Sequence, residues 1–132
     1  MTVLLLTKDR LSAMRYRGWL RRLGIRQVVQ VCRQGEITPR LARNVDCVFF
    51  QRECVANLPA FFARFPNCNA SFVVIWHNTN NEEMIQAINT GRVSFFILEN
   101  SGLLPASGLD AVRNAVVNTI AWQRERGARR LT

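Results

Sequence analysis

Short apolar runs along the chain alternate with stretches whose apolar residues recur every three or four positions. Val3-Leu4-Leu5-Leu6 is an unbroken run, and Phe72 to Trp76 is another. Val45 to Phe50 and Val93 to Leu98 repeat the pattern apart from Asp46 and Ser94. Such runs suit strands buried on both faces. Ile25 to Cys32 alternates valine with Gln and Arg, the pattern of a strand nearer a sheet edge.

Helical signals fall between these strands. Asp9 is placed to cap a helix from about Arg10 to Leu23, ended by Gly24. Leu11, Met14, Leu20 and Leu23, with Ala13 and Tyr16, are its expected inner face. A short helix is expected over Thr38 to Arg43 with Pro39 in its first turn. Another is expected over Asn57 to Phe65, where Phe61, Phe62 and Phe65 exceed what one inner face can bury, so one of them is expected at the surface or in an interface. Glu82 to Asn89, closed by Gly91, has acidic residues in its first turn, where the helix dipole favours them. Ser107 to about Arg126 is the last helix, with Val112, Val116 and Ile120 spaced by four.

Strict alternation of strand and helix predicts a parallel sheet with helices on both faces and right-handed crossovers. Five strands in this length fit a three-layer, doubly wound, flavodoxin-like α/β fold of strand order 2-1-3-4-5. In that order the first and last helices lie side by side on one face, and the other three cover the opposite face.

With 132 residues and 48% apolar content, the chain suffices for one domain with a real core. No apolar run reaches the ~18 residues of a membrane span, and no secretory pattern opens the chain. The expectation is therefore a cytoplasmic protein with no membrane association. The net charge is +9, from 18 basic and 9 acidic residues. Its placement is uneven: +8 over residues 1–43, −3 over 44–110 and +4 over 111–132. Lys8 is the only lysine, and the arginine skew is discounted because genome composition can produce it. Cys32, Cys47, Cys54 and Cys68 have no C-x-x-C spacing and only one histidine, His77, to join them, so no zinc site or other metal is expected. They read as free thiols acting as small buried hydrophobes.

Ligands of such sheets bind beyond the carboxyl ends of the strands. That singles out Thr7-Lys8-Asp9, Gln51-Arg52-Glu53, His77-Asn78-Thr79 and Glu99-Asn100. Over residues 2–125 the layout resembles the receiver domain of bacterial response regulators. The resemblance rests on Val3-Leu4-Leu5-Leu6 as the first strand and Arg21-Arg22-Leu23-Gly24 as the end of the first helix. It also rests on Asp46-Cys47-Val48-Phe49-Phe50 as the strand before the phospho-accepting position and Ala87-Ile88-Asn89-Thr90-Gly91 as the end of the fourth helix. It implies a receiver-like domain over 1–126 and a basic tail over 127–132.

The departures from the receiver pattern lie where the phosphorylation chemistry would be. Thr7 and Lys8 replace the acidic pair and leave only Asp9 beside them. Gln51 stands at the phospho-accepting position and His77 where receivers carry Thr or Ser. Leu98 or Glu99 stands in place of the receiver lysine. Aspartyl phosphorylation needs a carboxylate nucleophile and magnesium held by further carboxylates. Thr7, Lys8, Asp9, Gln51, His77 and Glu99 thus read as a degenerate phospho-site with no metal, no cofactor and no catalytic residue, in a protein expected not to be an enzyme. The short second helix and the Ala121-Trp122-Gln123-Arg124-Glu125-Arg126 ending are similar to pseudo-receivers of the AmiR/NasT class of ANTAR antiterminators. This resemblance implies regulation of transcription, including antitermination, through protein contacts with a regulatory partner. It also implies a homodimer on the fourth helix, fifth strand and fifth helix, with Phe95, Phe96 and the Val116-Val117 pair as candidates.

Two further readings remain open. Arg15, Arg21 and Arg22 of the first helix and Arg113, Arg124 and Arg126 of the last, with Arg129 and Arg130 beyond, are expected to form one basic face for RNA, DNA, an acidic protein or anionic lipid. Cys54, His77 and Glu99 are placed to converge as a thiol nucleophile with a base, against which stands the absence of any nucleophile motif.

Overall fold

The strand propensities produce one five-stranded parallel sheet in the order β2-β1-β3-β4-β5. The structure, a computed structural model, describes residues 1–77, 81–99 and 105–131, with 105, 106 and 128–131 as backbone only. The elements are β1 (Thr2–Leu6), α1 (Arg10–Arg22), β2 (Gln27–Val31), α2 (Pro39–Asn44), β3 (Cys47–Gln51), α3 (Leu58–Ala63), β4 (Ser71–Trp76), α4 (Asn81–Asn89), β5 (Val93–Leu98) and α5 (Pro105–Leu131). Single 3-10 turns at Gln34–Glu36 and Arg52–Cys54 complete it. This is the doubly wound, flavodoxin-like arrangement expected from the alternation. Gly24 and Gly91, both at positive φ, end α1 and α4.

The period-two geometry of the strands divides the core into two layers. Val3, Leu5, Phe49, Val73 and Ile75 face α1 and α5. Leu4, Leu6, Val48, Phe50, Phe72 and Val74 face α2, α3 and α4. β1, β3 and β4 are buried throughout except for the half-buried Thr2, whereas the edge strands β2 and β5 are partly open.

Three expectations about helix faces need correction. Leu11 and Met14 of α1 are 59% and 70% exposed. The buried face is instead Ala13, Tyr16, Trp19 and Leu20, which lies on the opposite side of the helix at 100° per residue. Phe61, Phe62 and Phe65 are all buried. α3 stops at Ala63, so Phe65 turns in from the following loop, and the three rings pack with Phe50 and Phe72 at centroid distances of 4.2 to 6.2 Å. In α5 the inner stripe is Gly108, Val112, Ala115 and Thr119, with Val116 half-buried and Ile120 turned outward. Of the four cysteines, all free, only Cys47 is a buried hydrophobe; Cys32 and Cys68 are exposed and Cys54 is half-buried.

Where α5 passes α1, Gly108 lies against Trp19 so closely that a Cβ there would sit 2.2 Å from the indole. At the other end of the sheet, Gln123 donates to the carbonyls of Asp46 and Asn69, just before β3 and β4. α5 then runs on to Leu131, past the expected end at Arg126 and roughly 7 Å beyond the sheet at 1.5 Å per residue.

Candidate functional site

The carboxyl ends of β1, β3, β4 and β5 bring Thr7, Lys8, Gln51, His77 and Glu99 to one edge of the sheet. Gln51 is the last residue of β3, paired with Ile75 of β4. Its side chain is almost fully buried, and Oε1 accepts the backbone N–H of Lys8 at 2.6 Å. The loops after β1 and β3 are thereby joined through one neutral amide. Thr7 is fully buried, donates its hydroxyl to the Asp9 carbonyl at 3.2 Å, and gives its backbone N–H to Val31. Lys8 itself is exposed.

Each carboxylate on this edge has an assignment of its own. Asp9 caps α1: Oδ1 accepts the Ser12 N–H at 2.7 Å and Oδ2 the Ser12 hydroxyl at 3.1 Å. The Ser12 N–H, above all, holds the Asp9 carboxyl below its ordinary range. Glu99 accepts the phenol of Tyr16 at 3.0 Å. Burial first, and Glu99 second, push the Tyr16 phenol far above its ordinary value, so it remains a donor. Glu53 lies 3.6 Å from His77 Nε2, and His77 Nδ1 is 3.1 Å from the Glu99 carbonyl. Among the described residues no group of three His, Cys, Asp or Glu side chains is placed to hold a metal ion.

The thiol reading finds little in this geometry. The two ring nitrogens of His77 face Glu53 and the Glu99 backbone, while Cys54 Sγ points toward Gln51 Oε1 at 4.0 Å. Burial, with Glu53 as the next cause, raises the Cys54 thiol above its ordinary value, which is opposite to what a thiolate nucleophile needs. Asn78, Thr79 and Asn100 lie outside the described residues.

One residue with a role here is not singled out by the sequence, and another is named there without a partner. Tyr16 is expected only on the inner face of α1. Arg52, beside Gln51, pairs with Glu83 of α4 at 3.6 Å and donates to the Val55 carbonyl. The Arg52–Glu83 pair lies between two recesses. One, of about 340 Å³, is lined by Glu53, Val55, Trp76 and His77; the other, of about 290 Å³, by Asn57, Leu58, Pro59 and Gln86. The available signal was position, since Arg52 directly follows the residue at the phospho-accepting place.

The arginines of α1 and α5, helices that lie side by side, are spread from one edge of the sheet to the other. Arg15 acts electrostatically on Asp9 and Tyr16, toward the carboxyl edge. Arg113 pairs with Asp110 at 2.8 Å in the first half of α5. Arg21 and Arg22, at the end of α1, and Arg124 and Arg126, at the far end of α5, lie toward the opposite edge, where β1 and β5 begin. The side chains of Arg129 and Arg130 lie outside the described residues.

With this geometry in place, the fold is recognisable as that of response-regulator receiver domains. No protein-family model matches the chain, and no curated protein matches it. Among solved structures it is similar to a response regulator of Thermotoga maritima, at 18% identity and TM-score 0.69 over 91% of this chain and 97% of that one. It is also similar to an orphan response regulator of H. pylori, at 20% identity and TM-score 0.71 over 90% and 96%. A pilus assembly-related protein of Burkholderia pseudomallei shares the fold at 15% identity and TM-score 0.61 over 89% and 90%. At these identities the likeness establishes the fold. Among the described residues, no helix is long and apolar enough to cross a membrane.

Proposed function

We propose that the chain is a phosphorylation-independent pseudo-receiver, a signalling module that regulates transcription through contacts with a protein partner and with a second copy of itself. The observation that carries this reading is Gln51. An amide occupies the end of the central strand where the fold's phosphorylation chemistry requires a carboxylate. It is buried and already hydrogen-bonded to Lys8 N–H. An amide is a poor nucleophile, and the nearby carboxylates are committed one by one to a helix cap, a histidine and a phenol. Divalent cations want several oxygen ligands together, and the Lys8 ammonium opposes one. Thr7, Lys8, Asp9, Gln51, His77 and Glu99 then act as a fixed connection between loops, and output depends on the surface rather than on phosphoryl transfer.

The surface for self-association is the edge formed by α4, β5 and α5. Ile85, Ile88, Leu98, Val117 and Ile120 are exposed there, and Phe95 and Phe96 are half-buried. The role in transcription, including antitermination, is supported by the resemblance of the receiver-like chain and its helical ending to ANTAR pseudo-receivers.

The test is incubation with acetyl phosphate and magnesium, followed by intact-protein mass spectrometry under acid-stabilising conditions. The expected spectrum shows no added phosphoryl group. A stable adduct on an aspartate would overturn the reading.

A further inference from the structure

The fold brings arginines from three separate parts of the sequence to one edge of the sheet. Arg21 and Arg22 close α1, Arg26 immediately precedes β2, Arg92 immediately precedes β5, and Arg124 and Arg126 lie on the last turns of α5 before it leaves the sheet. All six gather at the amino-terminal edge of the sheet. The acidic groups near them are Asp46, whose carboxylate accepts Thr2 N–H at 2.7 Å, and Glu125. Asp9, Glu53, Glu83, Glu99 and Asp110 lie toward the opposite edge, together with Lys8, Arg10, Arg15, Arg52 and Arg113. The ion pairs between described residues also lie away from the six arginines: Arg52–Glu83, His77–Glu53 and Arg113–Asp110.

Part of this cationic edge is rigidly held. The Arg92 guanidinium donates to the carbonyls of Phe65, Asn67 and Ala70 at 3.1 to 3.4 Å and lies over the Phe72 ring at 5.2 Å. Arg126 donates to the Gly91 carbonyl at 2.6 Å and stacks on Trp122 at 4.4 Å. The two cations are close enough that Arg126, after burial, helps hold Arg92 below its ordinary value. Gly91, Trp122, Glu125 and Arg126 line a recess of about 230 Å³ beside the indole. Arg92, its terminal donors taken by carbonyls, adds fixed positive charge, while Arg126 keeps donors beyond its bond to Gly91 beside the half-buried indole, with Glu125 in the lining of the same recess.

We infer that the amino-terminal edge of the sheet, continued by the projecting end of α5, binds the phosphodiester backbone of a nucleic acid. Arg26 and Arg92 stand at the outer strands, four strand spacings apart, which is about 19 Å. A row of cations of that length matches a repeating anion better than an isolated acidic side chain. Forked guanidinium donors fit phosphate oxygens two at a time, and an indole with a stacked guanidinium is a platform for a base. The opposite edge, where acidic and basic groups are mixed, attracts the same polyanion less. Backbone contacts of this kind give affinity without sequence preference.

The inference stands apart from the pseudo-receiver reading, because acetyl phosphate labelling and nucleic-acid binding are separate measurements. The experiment is a fluorescence anisotropy titration of the full chain on a labelled mixed-sequence 20-nucleotide RNA and on a 20-base-pair DNA duplex, between 50 and 300 mM salt. The expected result is binding to at least one of them, with affinity falling steeply as salt rises. The R22E/R26E/R124E variant reverses three exposed charges on the basic edge. It is expected to lose at least tenfold in affinity and about two units of the log–log salt slope. The R10E/R15E/R113E variant makes the same change in net charge near the other edge and is expected to stay within about threefold of the parent. Thermal melts of both variants check folding, and R22Q/R26Q/R124Q replaces the first should it melt early. Absence of binding to both probes would overturn the inference. So would equal losses in the two triple variants, or binding to anionic phosphatidylglycerol vesicles or polyglutamate without binding to either nucleic acid.

Discussion

Gln51 and Asp9 show how little separates a phospho-acceptor site from a fixed contact. The Gln51 amide reaches Lys8 N–H at 2.6 Å while almost fully buried. An aspartate at that position is one methylene shorter and leaves the Lys8 amide short of its partner. Gln51→Asp is therefore expected to lose about 1 to 3 kcal/mol in a urea melt. It is also expected to remain unlabelled by acetyl phosphate, because Lys8 still stands where a metal-binding acid would be needed. Labelling of that variant would mean the surroundings still gather a divalent ion. A second residue-scale effect comes from Cys47, whose thiol is pushed up to about 11 by burial. Below pH 9 the thiol is neutral in both folded and unfolded chains. Between pH 9 and 11 the unfolded chain ionises and the folded chain does not, so stability falls as pH rises across that window and the loss levels off above it. The loss reaches about 2 to 3 kcal/mol. Equilibrium melts at pH 8 and pH 11 should show a smaller fall in Cys47→Ala than in the parent, and an equal fall would discard Cys47 as the source. Substitution at the phospho-accepting place was legible in the sequence because residue type alone decides nucleophilicity. The Tyr16–Glu99 bond was not, because 83 positions of chain separate its partners.

Elements and their order were legible from periodicity, whereas helix orientation was less so. The four apolar runs and the one alternating stretch became five strands in the expected order, and the three central ones, buried on both faces, have no orientation to misread. For α1, Leu11 and Met14 are as apolar as the residues that are buried. What turns them outward is the pair of large rings, Tyr16 and Trp19, which pack edge to face at 5.1 Å on the inner side and take precedence by area. In α3 the misjudged quantity was length: a helix ending at Ala63 frees Phe65 to enter the core from a loop. The contact between α1 and α5 supplies the element-scale prediction. Trp19 is held under Gly108 with no room for a Cβ, and the obstacle is a nearly buried indole rather than a flexible tip. Gly108→Ala improves intrinsic helix propensity by about 1 kcal/mol, yet overpacking costs about 1 to 3 kcal/mol and displaces the ring. The expected outcome is a lower melting temperature with a changed tryptophan emission. A melt above the parent's would show that the two helices are free to separate at that point.

For the whole molecule, the two surfaces proposed for this chain answer oppositely to salt, which makes them separable. A net charge of +9 per chain means that two copies repel one another at long range, while the α4, β5 and α5 edge offers Ile88, Leu98, Val117 and Ile120 for apolar contact. Screening shortens that repulsion to about 10 Å at 0.1 M salt, and apolar burial is not weakened by it. Self-association is therefore expected to strengthen as salt rises from 50 to 300 mM, over the range in which binding to a polyanion weakens. Sedimentation velocity should show the species of twice 15.1 kDa growing across that range. Leu98→Glu places a charge on a side chain that is 50% exposed, so it is expected to abolish that species while leaving the melting temperature within a few degrees. A dimer that dissociates with salt, or one that survives Leu98→Glu, would move the self-association surface away from β5. This separation rests on a gathering of arginines at one edge that the sequence only partly shows. The +8 of residues 1–43 is carried through α1 and β2 and split between the two edges of the sheet, because every helix runs antiparallel to the strand before it.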